Sequence, residues 1–269
     1  MKRIFLLLLV ACSVLAMSAQ IKVVGHRGAR HNTPDTPATP YYENTISSLR
    51  FAQSLGLYAA EFDVNLTADD HVVVFHGPAV PGSKKKIQQM TFAEARAIVL
   101  PGGHQIPTLE EYLLEAKKHP EVKVIMEIKP HANKERETLA VEKSMAIVKQ
   151  LNMESQLEYT TFSEWMCKEI HRVDAKAKVL FLMAGLNAHS AQYCHEQKYD
   201  GMSYDINAFM NNPQLVRDAQ KYGIETTMWI VNDYELADWA IRHGVTFITS
   251  DHPERIKAYV DALKPFQKR

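Results

Sequence analysis

The sequence predicts an α/β fold, a (β/α)8 TIM barrel with a small insertion after the second strand. Eight short apolar segments alternate with longer amphipathic segments along most of the chain, and this alternation is typical of a parallel sheet covered by helices. A length of 269 residues, 46% of them apolar, is within the range of a single barrel of this kind. One stretch, from about residue 65 to about residue 107, does not follow the alternation.

The predicted elements follow from hydrophobic periodicity. The strands are expected at residues 22–26, 58–64, 123–129, 158–162, 178–183, 201–205, 225–231 and 247–251. The helices are expected at residues 44–56, 109–119, 136–151, 163–173, 213–222 and 234–243. Thr45, Ser163 and Asp233 lie near the starts of three of these helices, and their side chains are of the types that cap a helix N-terminus.

The insertion begins with a second β-branched run at residues 72–75, which follows the second strand after only a tight turn. A parallel neighbour needs a longer crossover connection, so this run cannot be the next strand of the barrel. We therefore expect residues 65–107 to lie over the barrel mouth and to include a short helix at about residues 91–100. The basic run at residues 84–86 is interpreted as a solvated turn rather than a phosphate site.

The first 19 residues have the pattern of a secretory signal peptide. Lys2 and Arg3 precede an apolar run that ends at Met17, and small residues follow it. This pattern predicts an exported protein, periplasmic or secreted, whose barrel comprises residues 20–269 and has no transmembrane segment. The alternative is a lipoprotein anchored through Cys12, because residues 9–12 resemble a bacterial lipobox.

Charge and cysteine content narrow the function classes. Basic and acidic residues number 31 each, so no overall charge attracts nucleic acid or anionic lipid, and no nucleic-acid partner is expected. The exported chain would retain Cys167 and Cys194. Their spacing is compatible with one disulfide or with two free thiols, and no cysteine and histidine spacing of the zinc type is present.

Polar residues gather where the predicted strands end, and the carboxyl ends of barrel strands build the active site in this fold. These residues are His26, Arg27, Glu61, Asp63, His76, Glu127, Lys129, Asn232 and Asp251. Glu61 and Asp63 are two positions apart and therefore share one face of their strand. Three nearby carboxylates repel one another, and a hard divalent cation with oxygen ligands relieves that repulsion.

The remaining polar groups indicate an anionic substrate. Arg27 and Lys129 can bind a phosphate, and His26 and His76 can exchange protons near neutral pH. A metal site, two cations and two histidines together suggest a phosphate ester as the substrate.

The motifs that carry these residues occur in a characteristic order. They are His26-Arg27-Gly28, Glu43-Asn44-Thr45, Glu61-Phe62-Asp63-Val64, Val74-Phe75-His76, Glu127-Ile128-Lys129, Met228-Trp229-Ile230-Val231-Asn232 and Ile248-Thr249-Ser250-Asp251-His252-Pro253. In this order the sequence resembles the glycerophosphodiester phosphodiesterase family from about residue 26 to residue 253.

The resemblance implies roles for individual residues. It implies that Glu61, Asp63 and Glu127 bind Mg²⁺ or Ca²⁺ and that two histidines act as an acid and base pair. The histidines are His26 and His76, and the resemblance leaves open which is the acid.

The resemblance also implies the substrate contacts. Arg27 and Lys129 would bind the phosphate of a small glycerophosphodiester, which is cleaved to glycerol 3-phosphate and an alcohol. Trp229 would form a wall of the pocket. Glu43 would orient Arg27 or cap the following helix rather than bind the metal.

One departure from the family pattern leaves alternatives open. Gly77 follows His76, where the family usually has an aspartate. A similar His-Gly pair occurs in secreted sphingomyelinase D enzymes, which act on lipids, so a lipid phosphodiesterase is one alternative. A barrel that binds phosphodiesters without turnover is the other.

Overall fold

The computed structural model describes residues 21–29 and 41–267. The predicted signal peptide, its lipobox alternative and Cys12 lie outside the described residues. The strands in chain order are β1 (Lys22–Gly25), β2 (Ala59–Leu66), β3 (Val72–Val74), β4 (Val99–Leu100), β5 (His104–Gln105), β6 (Lys123–Ile128), β7 (Leu157–Thr161), β8 (Val179–Met183), β9 (Gly201–Asp205), β10 (Glu225–Trp229) and β11 (Phe247–Ser250).

The described residues also form ten α-helices. They are α1 (Ile46–Ser54), α2 (Phe92–Arg96), α3 (Leu109–Ala116), α4 (Lys134–Gln150), α5 (Glu164–Val173), α6 (Ala191–Glu196), α7 (Ile206–Asn211), α8 (Gln214–Tyr222), α9 (Tyr234–His243) and α10 (Pro253–Gln267). Three of them were not predicted from the sequence, namely α6, α7 and α10. The first two are only six residues long, which is too short for a clear helical period.

Eight parallel strands close into a barrel, which confirms the predicted fold. Their order is β1, β2, β6, β7, β8, β9, β10 and β11. The ring closes because β1 pairs with its neighbours on both sides, Lys22 opposite Phe247 and Val24 opposite Ala59. The carboxyl ends of all eight strands therefore meet at one mouth.

Side-chain alternation on β2 separates the core from the site. Phe62 points outward and stacks on Tyr112 of α3 with the ring centroids 4.4 Å apart, and both side chains are fully buried. Burying an aromatic side chain of this size stabilises the fold by about 1.5–3 kcal/mol. Glu61 and Asp63 point the other way, into the barrel, because successive side chains alternate between the faces of a strand.

The three predicted helix caps are confirmed. Thr45, Ser163 and Asp233 each accept a hydrogen bond from the backbone N–H three residues later. The first helix nevertheless begins at Ile46 rather than at residue 44. Asn44 has a left-handed backbone conformation, with φ of 58°, and this places its side chain toward β2 instead of on the helix.

Between β2 and α3 the chain forms a small subdomain beside the barrel mouth. Its first strand, β3, runs antiparallel to β2, with Val64 opposite Val74. The subdomain has its own apolar core of Val73, Phe75, Val80, Ile87, Met90, Ala95, Leu100 and Ile106. Gln88 joins it to the mouth by donating from Nε2 to the backbone oxygen of Pro130, at 3.0 Å.

Two further features bear on the sequence-based expectations. Cys167 and Cys194 are both buried free thiols, so the two-thiol alternative applies. Among the helices of the described residues, none is long and apolar enough to cross a lipid bilayer.

Candidate active site

A cavity of about 160 Å³ opens at the carboxyl ends of the barrel strands. Of the residues singled out from the sequence, those that line it are His26, Arg27, Glu61, His76, Glu127, Lys129 and Trp229. Asp63 lies behind this lining with its side chain 1% exposed. Glu43 lies behind Arg27, outside the cavity wall.

The carboxylates of Glu61, Asp63 and Glu127 meet at one point of the mouth. Asp63 on β2 is the direct partner of Glu127 on β6 in the parallel register. One carboxylate oxygen of each of the three residues lies within 4.8 Å of the other two, and all three side chains are buried. Within residues 21–29 and 41–267 they form the one group of His, Cys, Asp or Glu side chains arranged to hold a metal ion.

Lys129 and Arg27 bring positive charge into this cluster. Lys129 Nζ lies 2.7 Å from Asp63 Oδ1 and 2.6 Å from Glu127 Oε1. Arg27 Nε lies 3.6 Å from Asp63 Oδ2. Burial alone would raise the pKa of Asp63, but the charges of Lys129 and Arg27 outweigh it and hold that pKa below its ordinary value.

Glu61 and Glu127 have the opposite shift. Burial and the negative charge of Asp63 raise the pKa of Glu127 to about 7, and burial raises the pKa of Glu61 well above its ordinary value. The Oε1 atom of Glu61 is buried and has no hydrogen-bond partner among the described residues. An unpartnered buried carboxylate oxygen beside two others fits a hard divalent cation, which binds oxygen ligands.

Arg27 is positioned by its backbone and by Glu43. Its φ of 52° is in the left-handed region, and its backbone N–H donates to Glu61 Oε2 at 2.8 Å. Its Nη1 atom donates to both oxygens of Glu43 at 3.0 Å. The residue that caps the following helix is Thr45. Glu43 instead accepts hydrogen bonds from Arg27 and holds its side chain in place.

Asn44 holds Asp63 from two sides, and the sequence did not assign it this contact. Its Nδ2 atom donates to Asp63 Oδ2 at 2.7 Å, and its Oδ1 atom accepts from the Asp63 backbone N–H at 2.9 Å. The only sequence signal was its place in the Glu-Asn-Thr motif.

His26 follows β1 and contacts Asp251, which follows β11, where the first and last strands of the barrel pair. Its Nδ1 atom lies 2.6 Å from Asp251 Oδ1, and Asn232 Nδ2 donates to Asp251 Oδ2 at 3.0 Å. Both Asn232 and Asp251 were noted as polar strand-end residues. Their contacts could not be predicted, because residues 26 and 251 meet only when β1 pairs with β11.

His76 faces the cavity from the end of β3 in a different environment. Burial, assisted by the nearby charges of Lys129 and Arg27, lowers the pKa of His76 to about 4, so its ring is neutral at pH 7. Gly77 has φ of 62°, and a Cβ atom there would lie 3.0 Å from Ile87 Cγ2. An aspartate at this position would therefore be strained in this backbone conformation.

The opposite wall of the cavity is uncharged. Phe162 and Trp229 pack edge to face with their ring centroids 6.1 Å apart. Leu180, Leu182 and Thr227 lie near them. Among the described lining residues contributed by β7 to β11 and the residues that follow these strands, none carries a charge. The cavity thus has one ionic side and one uncharged side.

Comparisons with known proteins identify the family of this chain. Residues 26–255 match the model of the glycerophosphoryl diester phosphodiesterase family. A glycerophosphodiester phosphodiesterase of Caldanaerobacter subterraneus is 26% identical over 249 residues, which cover 87% of this chain and 95% of that protein.

Solved structures show the same fold. The crystal structure of a glycerophosphodiester phosphodiesterase from Parabacteroides distasonis has a TM-score of 0.84 at 32% identity, and the match covers 91% of this chain and 99% of that one. An Oleispira antarctica phosphodiesterase, solved with the product sn-glycerol-3-phosphate, has a TM-score of 0.78 at 21% identity, with 89% and 96% covered. The chain belongs to the glycerophosphoryl diester phosphodiesterase family and is, like its members, a phosphodiester hydrolase.

Proposed function

We propose that this protein is an exported, metal-dependent enzyme that hydrolyses small glycerophosphodiesters to glycerol 3-phosphate and an alcohol. One observation carries the proposal. The buried carboxylates of Glu61, Asp63 and Glu127 meet beside two cations and two histidines at a single cavity. The Oleispira enzyme, which was solved with glycerol 3-phosphate as its product, gives the substrate class further support.

The carboxylate cluster is the proposed site of Mg²⁺ or Ca²⁺. Its ligands are all oxygen atoms, which both ions prefer and which a zinc site of the usual nitrogen and sulfur type does not resemble. The ion, when bound, polarises a phosphoryl oxygen and neutralises its charge. Lys129 and Arg27 contact the same carboxylates and add positive charge for the other phosphoryl oxygens.

The two histidines are the proposed proton carriers. One of them accepts the proton of the attacking hydroxyl, and the other donates a proton to the leaving alcohol. Both line the cavity, His26 from the end of β1 and His76 from the end of β3. Trp229 is proposed to pack against the substrate on the uncharged side.

Turnover of defined substrates tests the proposal. Glycerophosphocholine and glycerophosphoethanolamine should each release glycerol 3-phosphate in Mg²⁺ or Ca²⁺, and EDTA should abolish the release. Choline released from sphingomyelin vesicles, but not from glycerophosphocholine, would support the lipid phosphodiesterase alternative. Binding of glycerophosphocholine without turnover in either metal would support the non-catalytic alternative.

Export is a separate part of the proposal and rests on the sequence of residues 1–19. Mass spectrometry of the protein from its native host should find an amino terminus near Gln20 without acylation. A diacylated Cys12 would replace this proposal with a lipid-anchored enzyme.

A further inference from the structure

We propose that Asp251 is a positioning residue for His26 and that Asn232 holds Asp251 in place. This inference rests on the proposed function, in which His26 exchanges a proton with the substrate or the nucleophile. It adds Asn232 and Asp251, which follow β10 and β11, to the carboxylates, cations and histidines contributed by β1, β2, β3, β6 and the residues just after them.

The His26–Asp251 contact determines which ring nitrogen faces the cavity. An ionised carboxylate can only accept hydrogen bonds, so the 2.6 Å contact with Asp251 Oδ1 requires a proton on His26 Nδ1. The other ring nitrogen, Nε2, is then the atom that exchanges a proton with the substrate. Both side chains are only 14% exposed, and this partial burial strengthens the contact relative to one in water.

Asn232 restrains Asp251 through both of its amide atoms. Its Nδ2 atom donates to Asp251 Oδ2 at 3.0 Å, and its Oδ1 atom accepts from the Asp251 backbone N–H at 2.9 Å. The Ser250 hydroxyl also donates to Asn232 Oδ1, at 3.0 Å. The carboxylate therefore cannot rotate freely, and it keeps Oδ1 directed at the histidine.

The two cavity histidines differ in whether a carboxylate is hydrogen-bonded to the ring. In the part of the chain that the structure describes, the His76 ring has no hydrogen bond to a carboxylate, and Gly77 follows it in sequence. Of the two cavity histidines in the described residues, only His26 has its ring orientation set by an aspartate that is itself hydrogen-bonded. A carboxylate in this arrangement selects the ring tautomer and stabilises the imidazolium form.

Asp251→Asn tests the inference most directly. The variant keeps the shape of the side chain but can present its NH₂ group to Nδ1, which favours the wrong tautomer. We expect kcat to fall by roughly 10²-fold or more, the usual contribution of a positioned acid or base, with little change in KM. Asn232→Ala, which leaves Asp251 in place, should lower kcat by a smaller factor.

A matched control exists in the same chain. Glu164 Oε1 lies 3.1 Å from His189 Nε2, and neither residue lines the cavity. Glu164→Gln removes a comparable carboxylate from a comparable histidine and should leave kcat unchanged. Parent kcat in Asp251→Asn would overturn the proposal.

A double-mutant cycle separates positioning from a structural role. If Asp251 acts through His26, adding Asp251→Asn to His26→Ala should lower kcat no further. A further loss as large as in the parent background would show that Asp251 acts independently of His26, and it would overturn the proposal.

Nitrogen-15 NMR of the ring provides a readout that does not depend on activity. The parent should show His26 protonated at Nδ1, and Asp251→Asn should change that state. If the parent hydrolyses no glycerophosphodiester, the proposed function fails while the NMR result still decides the positioning role. A parent ring protonated only at Nε2 would overturn that role.

Discussion

The three carboxylates of the cluster have unequal electrostatic surroundings, although all of them are buried. Lys129 and Arg27 both approach Asp63, so its pKa lies below the ordinary value, whereas the pKa of Glu127 is raised to about 7. At neutral pH Asp63 is therefore charged, whereas burial and the neighbouring carboxylates raise the pKa of both Glu61 and Glu127. A bound cation would therefore relieve electrostatic repulsion mainly at the two glutamates, and less at Asp63, which Lys129 and Arg27 already neutralise.

At the residue scale we predict that neither cavity histidine can be removed without loss of catalysis. His26→Ala and His76→Ala should each lower kcat by roughly 10²-fold or more. Melting temperatures should change little, because polar side chains at the barrel mouth contribute little packing. His119→Ala, at an exposed position, is the control and should retain parent kcat. Near-full activity in His76→Ala would mean that another group performs that proton transfer.

At the element scale the predictable features were local ones. Strand positions follow from β-branched apolar runs, and the caps Thr45, Ser163 and Asp233 follow from residue type next to a helical period. The contacts of Asn44 with Asp63 and of Asp251 with His26 join distant segments. Sequence periodicity carries no information on which side chains meet across a barrel, so these contacts became visible only in the structure.

The packing of α1 against α3 yields a stability prediction. Arg50 donates to both oxygens of Glu115, Nε at 2.8 Å and Nη2 at 2.9 Å, and Lys118 Nζ donates at 2.7 Å. The hydrogen bonds from Arg50 lower the pKa of Glu115 to about 2. Because Arg50 and Lys118 are largely exposed, we expect Glu115→Gln to cost only about 1 kcal/mol at pH 7.

The pH dependence of this cost has a definite sign. Glu115 has a lower pKa in the folded protein than its ordinary value of 4.5, so its contribution is complete above pH 4.5 and is lost as the pH falls toward 2. Urea unfolding of parent and Glu115→Gln should show a free-energy difference that narrows over this range. A difference that is constant from pH 7 to pH 3 would contradict the assignment.

At the scale of the whole molecule, metal binding should stabilise the fold. A ligand that binds only the native state at 100 times its Kd adds about 2.7 kcal/mol, which corresponds to roughly 5–11 °C in Tm for a chain of this size. Mg²⁺ or Ca²⁺ added after EDTA should therefore raise Tm and restore turnover together. Calorimetry with each ion measures the first effect.

Glu127→Gln should weaken both the rise in Tm and the recovery of turnover on addition of Mg²⁺ or Ca²⁺, while the fold is retained. Glu121→Gln, at an exposed carboxylate outside the cluster, should respond like the parent. Full activity in EDTA, or an undiminished rise in Tm for Glu127→Gln, would rule out the three-carboxylate site.

The closure of the barrel by β1 and β11 has a consequence for biosynthesis. Residues 26 and 251 touch although 225 positions separate them in the chain, so the site is completed only after residue 251 has been made. Until β11 arrives, β1 and β10 each present an unpaired edge, and such edges promote association between chains. A chain terminated before residue 247 should therefore aggregate instead of persisting as a partly active enzyme.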